Sequence, residues 1–211
     1  QAQGKLSAIL EAKKSHIEQY LNNLLNQISL MAIEYNTDSA NWHFANQFTT
    51  LGEELKVKPE QKEKVKQYYI KNYFNLYEAK NIKSAPTVEQ YFKGFKEHHW
   101  TIQYQYMVRN PNPMGEKSAM DAPDGEYSAY STGHKSYHEV FRTYANNLGY
   151  GDIYFVNKDG DVTYSYQKGF ELGTSLVDGP FADSGLARAY RRSLEIKKGE
   201  IVIEDFSRYA P

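Results

Sequence analysis

The sequence predicts an α+β chain, with a long helical first part and then a small mixed module built on one hairpin. Three observations predict it. Apolar residues recur at three- and four-residue steps in successive stretches between Lys5 and about Leu148, the period of amphipathic helices. Ile153 to Val156 is a short run of β-formers, and Val162, Tyr164 and Tyr166 then alternate with Thr163 and Ser165, the period of a half-buried strand. Between these runs, Asp159-Gly160 is the Asp-Gly pair that a tight hairpin turn favours.

Lys5 to about Tyr35 reads as one helix, with Leu6, Ile9, Leu10, Ile17, Leu21, Leu24, Leu25, Ile28 and Met31 as its apolar stripe. About thirty residues at 1.5 Å each span roughly 45 Å, more than a small domain needs. The expectation is a stalk that pairs with its copy in a dimer, the alternative being a helix packed wholly in its own domain. Asn36-Thr37-Asp38-Ser39 is rich in capping residues and reads as a break. A second helix is expected over Ala40 to Leu55, with Trp42, Ala45, Phe48 and Leu51 inward. Pro59 suits a first helical position. The helix from Glu60 to about Asn81 turns Val65, Tyr69, Tyr73, Leu76 and Tyr77 inward and a lysine-rich, solvated face outward. Thr87 and Gln90 have capping-box spacing ahead of a short helix. Trp100 to Val108 has an ambiguous period and is read as helix. It is stopped by Asn110-Pro111-Asn112-Pro113.

Met114 to Ser128 reads as loop with an acidic centre of Asp121, Asp124 and Glu126, lacking the regular ligand spacing of a calcium loop. Ser131 to Leu148 is a further helix, closed by Gly149 in the left-handed cap position. After the hairpin come loops, a short helix from Leu186 to about Leu194, and a third strand over Glu200 to Phe206.

Composition bounds the function. The 211 residues carry 25 basic and 26 acidic side chains, so no strong field points to nucleic acid. Nineteen tyrosines suit wet grooves and ligand pockets, and equally a tyrosine-rich core. The absence of cysteine excludes disulfides, thiol catalysis and cysteine-held metals. No run of eighteen apolar residues occurs. Gln1-Ala2-Gln3-Gly4 reads as the start of an excised piece.

Several ordered blocks resemble a known family. They are Asn110 to Lys117 (Asn-Pro-Asn-Pro-Met-Gly-Glu-Lys), Tyr130 to Arg142, Leu148 to Val156, Phe170 to Leu176, Gly179 to Ala187 and Glu204 to Pro211. Together they resemble the periplasmic sensor region of a group of bacterial methyl-accepting chemotaxis proteins. Some membrane-bound nucleotide cyclases carry the same region. The resemblance covers roughly residues 100 to 211; the earlier helices agree in pattern only. It implies a PAS-like (Cache-type) antiparallel sheet flanked by helices. The chain then divides into a helical region over residues 1–100 and a PAS-like sensor module over residues 101–211. The family's sheet has five strands, of which this sequence offers three, at about Asp152–Asn157, Asp161–Gln167 and Glu200–Phe206. The expectation is a sheet truncated at the C-terminus, its last strands lying past Pro211. Two positions depart from the family pattern: Tyr150-Gly151 where two bulky aromatics precede Asp152, and Glu139 where a proline follows Tyr137-His138.

By this resemblance the chain is the extracytoplasmic, periplasmic part of a membrane-anchored receptor that binds a small molecule and signals through helices. A cyclase or histidine-kinase sensor is the alternative, and a helical assembly domain without ligand is another. A PAS-like cavity would use Arg142 to clamp a carboxylate, Asp152 and Asp183 to hold an amine, and Tyr106, Tyr137, Tyr154 and Tyr164 as walls. The plainer reading makes Asp152 a turn cap, Arg142 a salt-bridge partner and the tyrosines core. Amino acids, amines and organic acids are the ligand classes in view, with no cofactor. No catalytic constellation stands out, so no enzyme is expected. His134 and His138, at i and i+4, are weak metal candidates, with Lys135 where a zinc protease wants glutamate. His98 and His99 are adjacent and are expected on different sides.

Overall fold

A computed structural model of the chain describes residues 2–80 and 86–207. Helix α1 (Ala2–Ile33) and helix α2 (Tyr35–Glu54) meet at Glu34. The Glu34 carboxylate accepts the Thr37 amide, so a glutamate caps α2 two residues before the expected break. Only the last third of α1 is partly covered by the body; residues 4–23 are exposed throughout. Along α2 the buried residues are Ala40, Phe44, Phe48 and Leu51, a four-residue step. Trp42, expected inward, is 65% exposed. Phe44 takes the inner place, stacked on Tyr164 at 4.6 Å.

Helix α3 (Pro59–Tyr69) continues through a π-helical turn (Ile70–Phe74) into α4 (Asn75–Lys80). Asn81 lies outside the described residues. Helix α5 (Val88–Tyr91) starts with the expected capping box: the Gln90 amide donates to Thr87 Oγ1 and the Thr87 amide to Gln90 Oε1. Trp100 to Val108 is helical, as α6 (Glu97–Gln103) followed by a second π turn (Tyr104–Val108). The helix end there is closed by a lysine. Buried Lys117 Nζ donates to the carbonyls of Met107 and Asn112 at 3.0 Å and of Asn110 at 3.4 Å. Those groups have no helical partner of their own.

Helix α7 (Ala129–Leu148) runs from an N-cap at Ser128 to Gly149, whose φ of +72° is the left-handed closure read from the sequence. The hairpin follows as β1 (Tyr154–Val156) and β2 (Val162–Ser165), antiparallel, with Phe155 opposite Tyr164 and an irregularity after Phe155. Gly160 makes the turn at φ +87°. Both faces of β2 are buried. Tyr164 lies against Phe44 and Phe141, while Val162 joins Phe170 and Leu176 in a second cluster. Helix α8 (Gly185–Ser193) is capped by Ser184.

The five-stranded PAS-like sheet is absent: among the described residues the chain is mostly helical, with one two-stranded sheet. The third expected strand, Glu200 to Phe206, is irregular throughout. Two contacts explain this. The free edge of β2 is taken by the loop at 173–176, where Gly173 and Leu176 amides donate to the Val162 and Gly160 carbonyls at 2.8 Å. On the side of β1, Val156 and Ile201 line the same cavity of ≈ 540 Å³, so the two segments stand apart instead of pairing. Glu204 is meanwhile held by Arg188 and Arg192 of α8. The end of the last resembling block, residues 208–211, lies outside the described residues.

Both core clusters draw on residues before and after residue 100. One joins Phe44 and Phe48 to Tyr106, Phe141 and Tyr164; the other joins Tyr69 and Tyr73 to Met107, Phe170 and Phe181. No helix among the described residues is long and apolar enough to cross a membrane.

Candidate functional site

Helix α7 places a polar residue every four positions on its inner face: His134, His138 and Arg142. Residues four apart share a helix face, so these three side chains form one stripe. The imidazoles of His134 and His138 stack at 4.5 Å between centroids. The hairpin meets the stripe from one side. Tyr164 O–H lies 2.7 Å from His138 Nδ1, and Lys168 Nζ lies 3.0 Å from His138 Nε2. The loop after Pro113 meets it from the other. His134 Nδ1 contacts the Asp121 carbonyl, and His138 Nε2 contacts the Ser118 carbonyl at 2.7 Å. Arg142 Nη2 donates to the Asp121 carboxylate and, at 3.2 Å, to the Ser118 carbonyl.

A carbonyl only accepts, so at 2.7 Å His138 Nε2 must carry the ring proton and donate it to Ser118. Nδ1 then accepts from Tyr164 O–H. Lys168 faces an N–H and is left with one long acceptor, the Tyr166 carbonyl at 3.5 Å. The amine is fully buried. Burial, and then the nearby Arg142 charge, bring its pKa down from 10.5 to about 7. The same burial, with the Lys168 charge next, lowers His138 to about 3. Burial also holds His134 well below its usual range. Both histidines are therefore neutral at neutral pH. Lys168 itself sits at φ +54°, a left-handed backbone that a residue with a Cβ rarely takes.

Of the residues singled out from the sequence, the structure brings Tyr106, Arg142 and Tyr164 to this stripe. Tyr106 lies beside His134, its ring tilted at 4.7 Å between centroids, and shares a hydrogen bond of 2.9 Å with Ser131. Tyr137 is half-buried on the neighbouring apolar face against His43 and Phe44. Asp152 is held as a turn cap, accepting from the Ile153 and Gln167 amides and from Ser165 Oγ. Burial raises its pKa in spite of these donors. Tyr154 lines the cavities beside α1. Asp183 is exposed, its carbonyl accepting from Arg188 at 3.3 Å, and joins none of these contacts. His134 and His138 are a packing pair: both nitrogens of His138 and Nδ1 of His134 are held by protein groups. Lys168 was not visible in the sequence as part of the site. Its only local signal is a lysine after the tyrosine-rich strand.

A second cluster corrects the reading of His98 and His99. Their rings come together at 4.3 Å between centroids, and with Asp161 they place one donor atom each within 4.8 Å of one another. The donor set suits a divalent cation; the hydrogen bonding of His99 does not. His99 Nδ1 accepts the Lys96 amide at 2.8 Å as the capping residue of α6, so its proton sits on Nε2 and is given to Asp161 Oδ1 at 3.1 Å. A metal at Nε2 needs the opposite tautomer. The pair is built as a tie between α6 and the hairpin.

Comparison with family models, curated proteins and solved structures finds no match to this chain.

Proposed function

We propose that this chain is the ligand-binding, extracytoplasmic part of a membrane-anchored receptor of the bacterial chemotaxis type. It binds a small molecule in its globular body and pairs with a second copy through α1. The observation that carries the proposal is the exposed apolar stripe of α1. Leu6, Leu10 and Ile17 are 59%, 59% and 60% exposed on a helix of 32 residues, about 48 Å long. A stripe of this kind is normally covered by a partner. Leu10, Ile17, Leu24 and Met31 are seven residues apart, and Leu21 and Ile28 interleave with them at four-residue steps. That is the seam of a two-helix pairing. The ordered blocks that resemble chemoreceptor sensor regions, a region that some membrane-bound cyclases share, support the sensor reading. The proposal rests on stalk and body and requires no five-stranded sheet.

Sedimentation equilibrium tests the pairing. The chain is expected as a dimer at micromolar concentration, and the double variant Leu10→Asp, Ile17→Asp as a monomer with unchanged melting of its body. A wild-type chain that stays monomeric at hundreds of micromolar would overturn the stalk reading.

A further inference from the structure

We propose that the loop from Pro113 to Tyr127 is a built-in stand-in for a ligand, and that Arg142 and Lys168 beneath it form a site for a small carboxylate. The inference rests on the ligand-binding reading above and names its chemistry. What the loop gives the α7 stripe consists entirely of acceptors: the Asp121 carbonyl on His134, the Ser118 carbonyl on His138 and Arg142, and the Asp121 carboxylate on Arg142. A bound carboxylic acid would offer the same kind of groups to the same donors. The loop itself has little regular structure, a 3-10 turn at Lys117–Ala119.

Beneath it the compensation is incomplete. Lys168 is fully buried and lies in no ion pair among the described residues, and its acceptor is the one carbonyl at 3.5 Å. The Asp152 and Asp121 carboxylates act on it from beyond ion-pair distance, and a buried amine without a paired anion is costly. Here it is also held by an unfavourable left-handed backbone. A planar carboxylate suits the guanidinium fork. Displacing Asp121 from Arg142 would bring such an anion beside His138, where Lys168 waits. Exchange can start from outside, because the Asp121 side chain is 47% exposed and that of Arg142 29%. The outer side of the loop borders an open cavity of ≈ 690 Å³ that includes Asp121 and Lys135.

The test is calorimetric titration of the full chain with acetate, succinate and inorganic phosphate, using wild type, Asp121→Asn and Lys168→Met. Asp121→Asn removes the internal competitor without changing shape, so carboxylate binding should tighten by tenfold or more. A merely structural ion pair predicts the reverse. Lys168→Met should weaken binding at least tenfold while the protein stays folded by circular dichroism. Saturation with succinate should also speed amide hydrogen exchange in residues 118–125, as the segment around Asp121 leaves the stripe while Lys117 stays in place. Binding of phosphate alone, unchanged or weaker carboxylate binding in Asp121→Asn, or no carboxylate binding to either protein would overturn the proposal. Dimerisation through α1 is independent of these outcomes, so the failure of the site and the failure of the receptor reading can be told apart.

Discussion

Replacing Lys168 with methionine should stabilise the protein at neutral pH, against the usual direction of core mutations. In the unfolded chain this amine titrates near 10.5, and in the folded protein near 7. Between those values the unfolded state holds one more proton, so the free energy of unfolding rises with pH across the window. Below pH 7 both states are protonated and the full penalty of burying the charge is present. The gap between 10.5 and about 7, at 1.36 kcal/mol per pKa unit, is on the order of 5 kcal/mol. Losing the weak contact with the Tyr166 carbonyl takes back about 1 kcal/mol. Lys168→Met, which keeps much of the chain's length and has no charge to bury, should therefore be more stable by about 4 kcal/mol at pH 6. The advantage should shrink by about 1.4 kcal/mol for each pH unit above 7 and be gone near pH 10. Urea unfolding of both proteins at pH 6, 7, 8 and 9 reads the difference directly. An advantage that does not change with pH, or a variant less stable at pH 6, would refute the reasoning. The amine would then have an anion close by or a path to water.

Three further outcomes follow. Lys117→Met removes the donor for the Met107, Asn110 and Asn112 carbonyls, a loss of about 3 kcal/mol, but also the burial penalty that lowers the Lys117 pKa to about 8. In urea unfolding it should therefore be near neutral at pH 7 and increasingly destabilising as pH rises above 8. Phe44→Ala, at a fully buried ring stacked on Tyr164, should cost about 3–5 kcal/mol in urea unfolding. Burial pushes the Asp161 carboxyl up, but the hydrogen bonds from His99 and Asn157 outweigh it and its pKa is lowered overall. Its contribution is therefore present above the unfolded value of 3.8 and lost as pH falls below it, and Asp161→Asn should flatten the acid limb of the stability curve.

Local chemistry was legible in the sequence and long-range placement was not. The Gly149 cap, the Thr87 capping box, the Asp159-Gly160 turn and the helical reading of Trp100 to Val108 each depend on neighbours within a few residues, and each stands in the structure. The inner face of α2 was misread because Trp42 is the largest apolar residue nearby. Size does not decide direction; the four-residue step through Ala40, Phe44 and Phe48 does. Ile201 and Ile203 alternate as a strand should, but a strand also needs an edge to pair with, and both nearby edges are otherwise engaged or stand off across a cavity. The polar stripe of α7 was visible as i, i+4 histidines. What makes it a candidate site is a lysine 30 residues on from His138 and a loop 20 residues before it. Spacing within α7 carries no information about either.

The claim that this body senses a ligand and reports it through α1 is tested most directly in a chimera. The chain is joined in helical register to the membrane-spanning and cytoplasmic parts of a well-behaved chemoreceptor, and the activity of the associated histidine kinase is measured while succinate is added. The account predicts a saturable change in kinase activity that shifts to lower succinate in Asp121→Asn and disappears in Leu10→Asp, Ile17→Asp. A properly inserted, dimeric chimera with kinase activity indifferent to succinate and to other small carboxylates would contradict it.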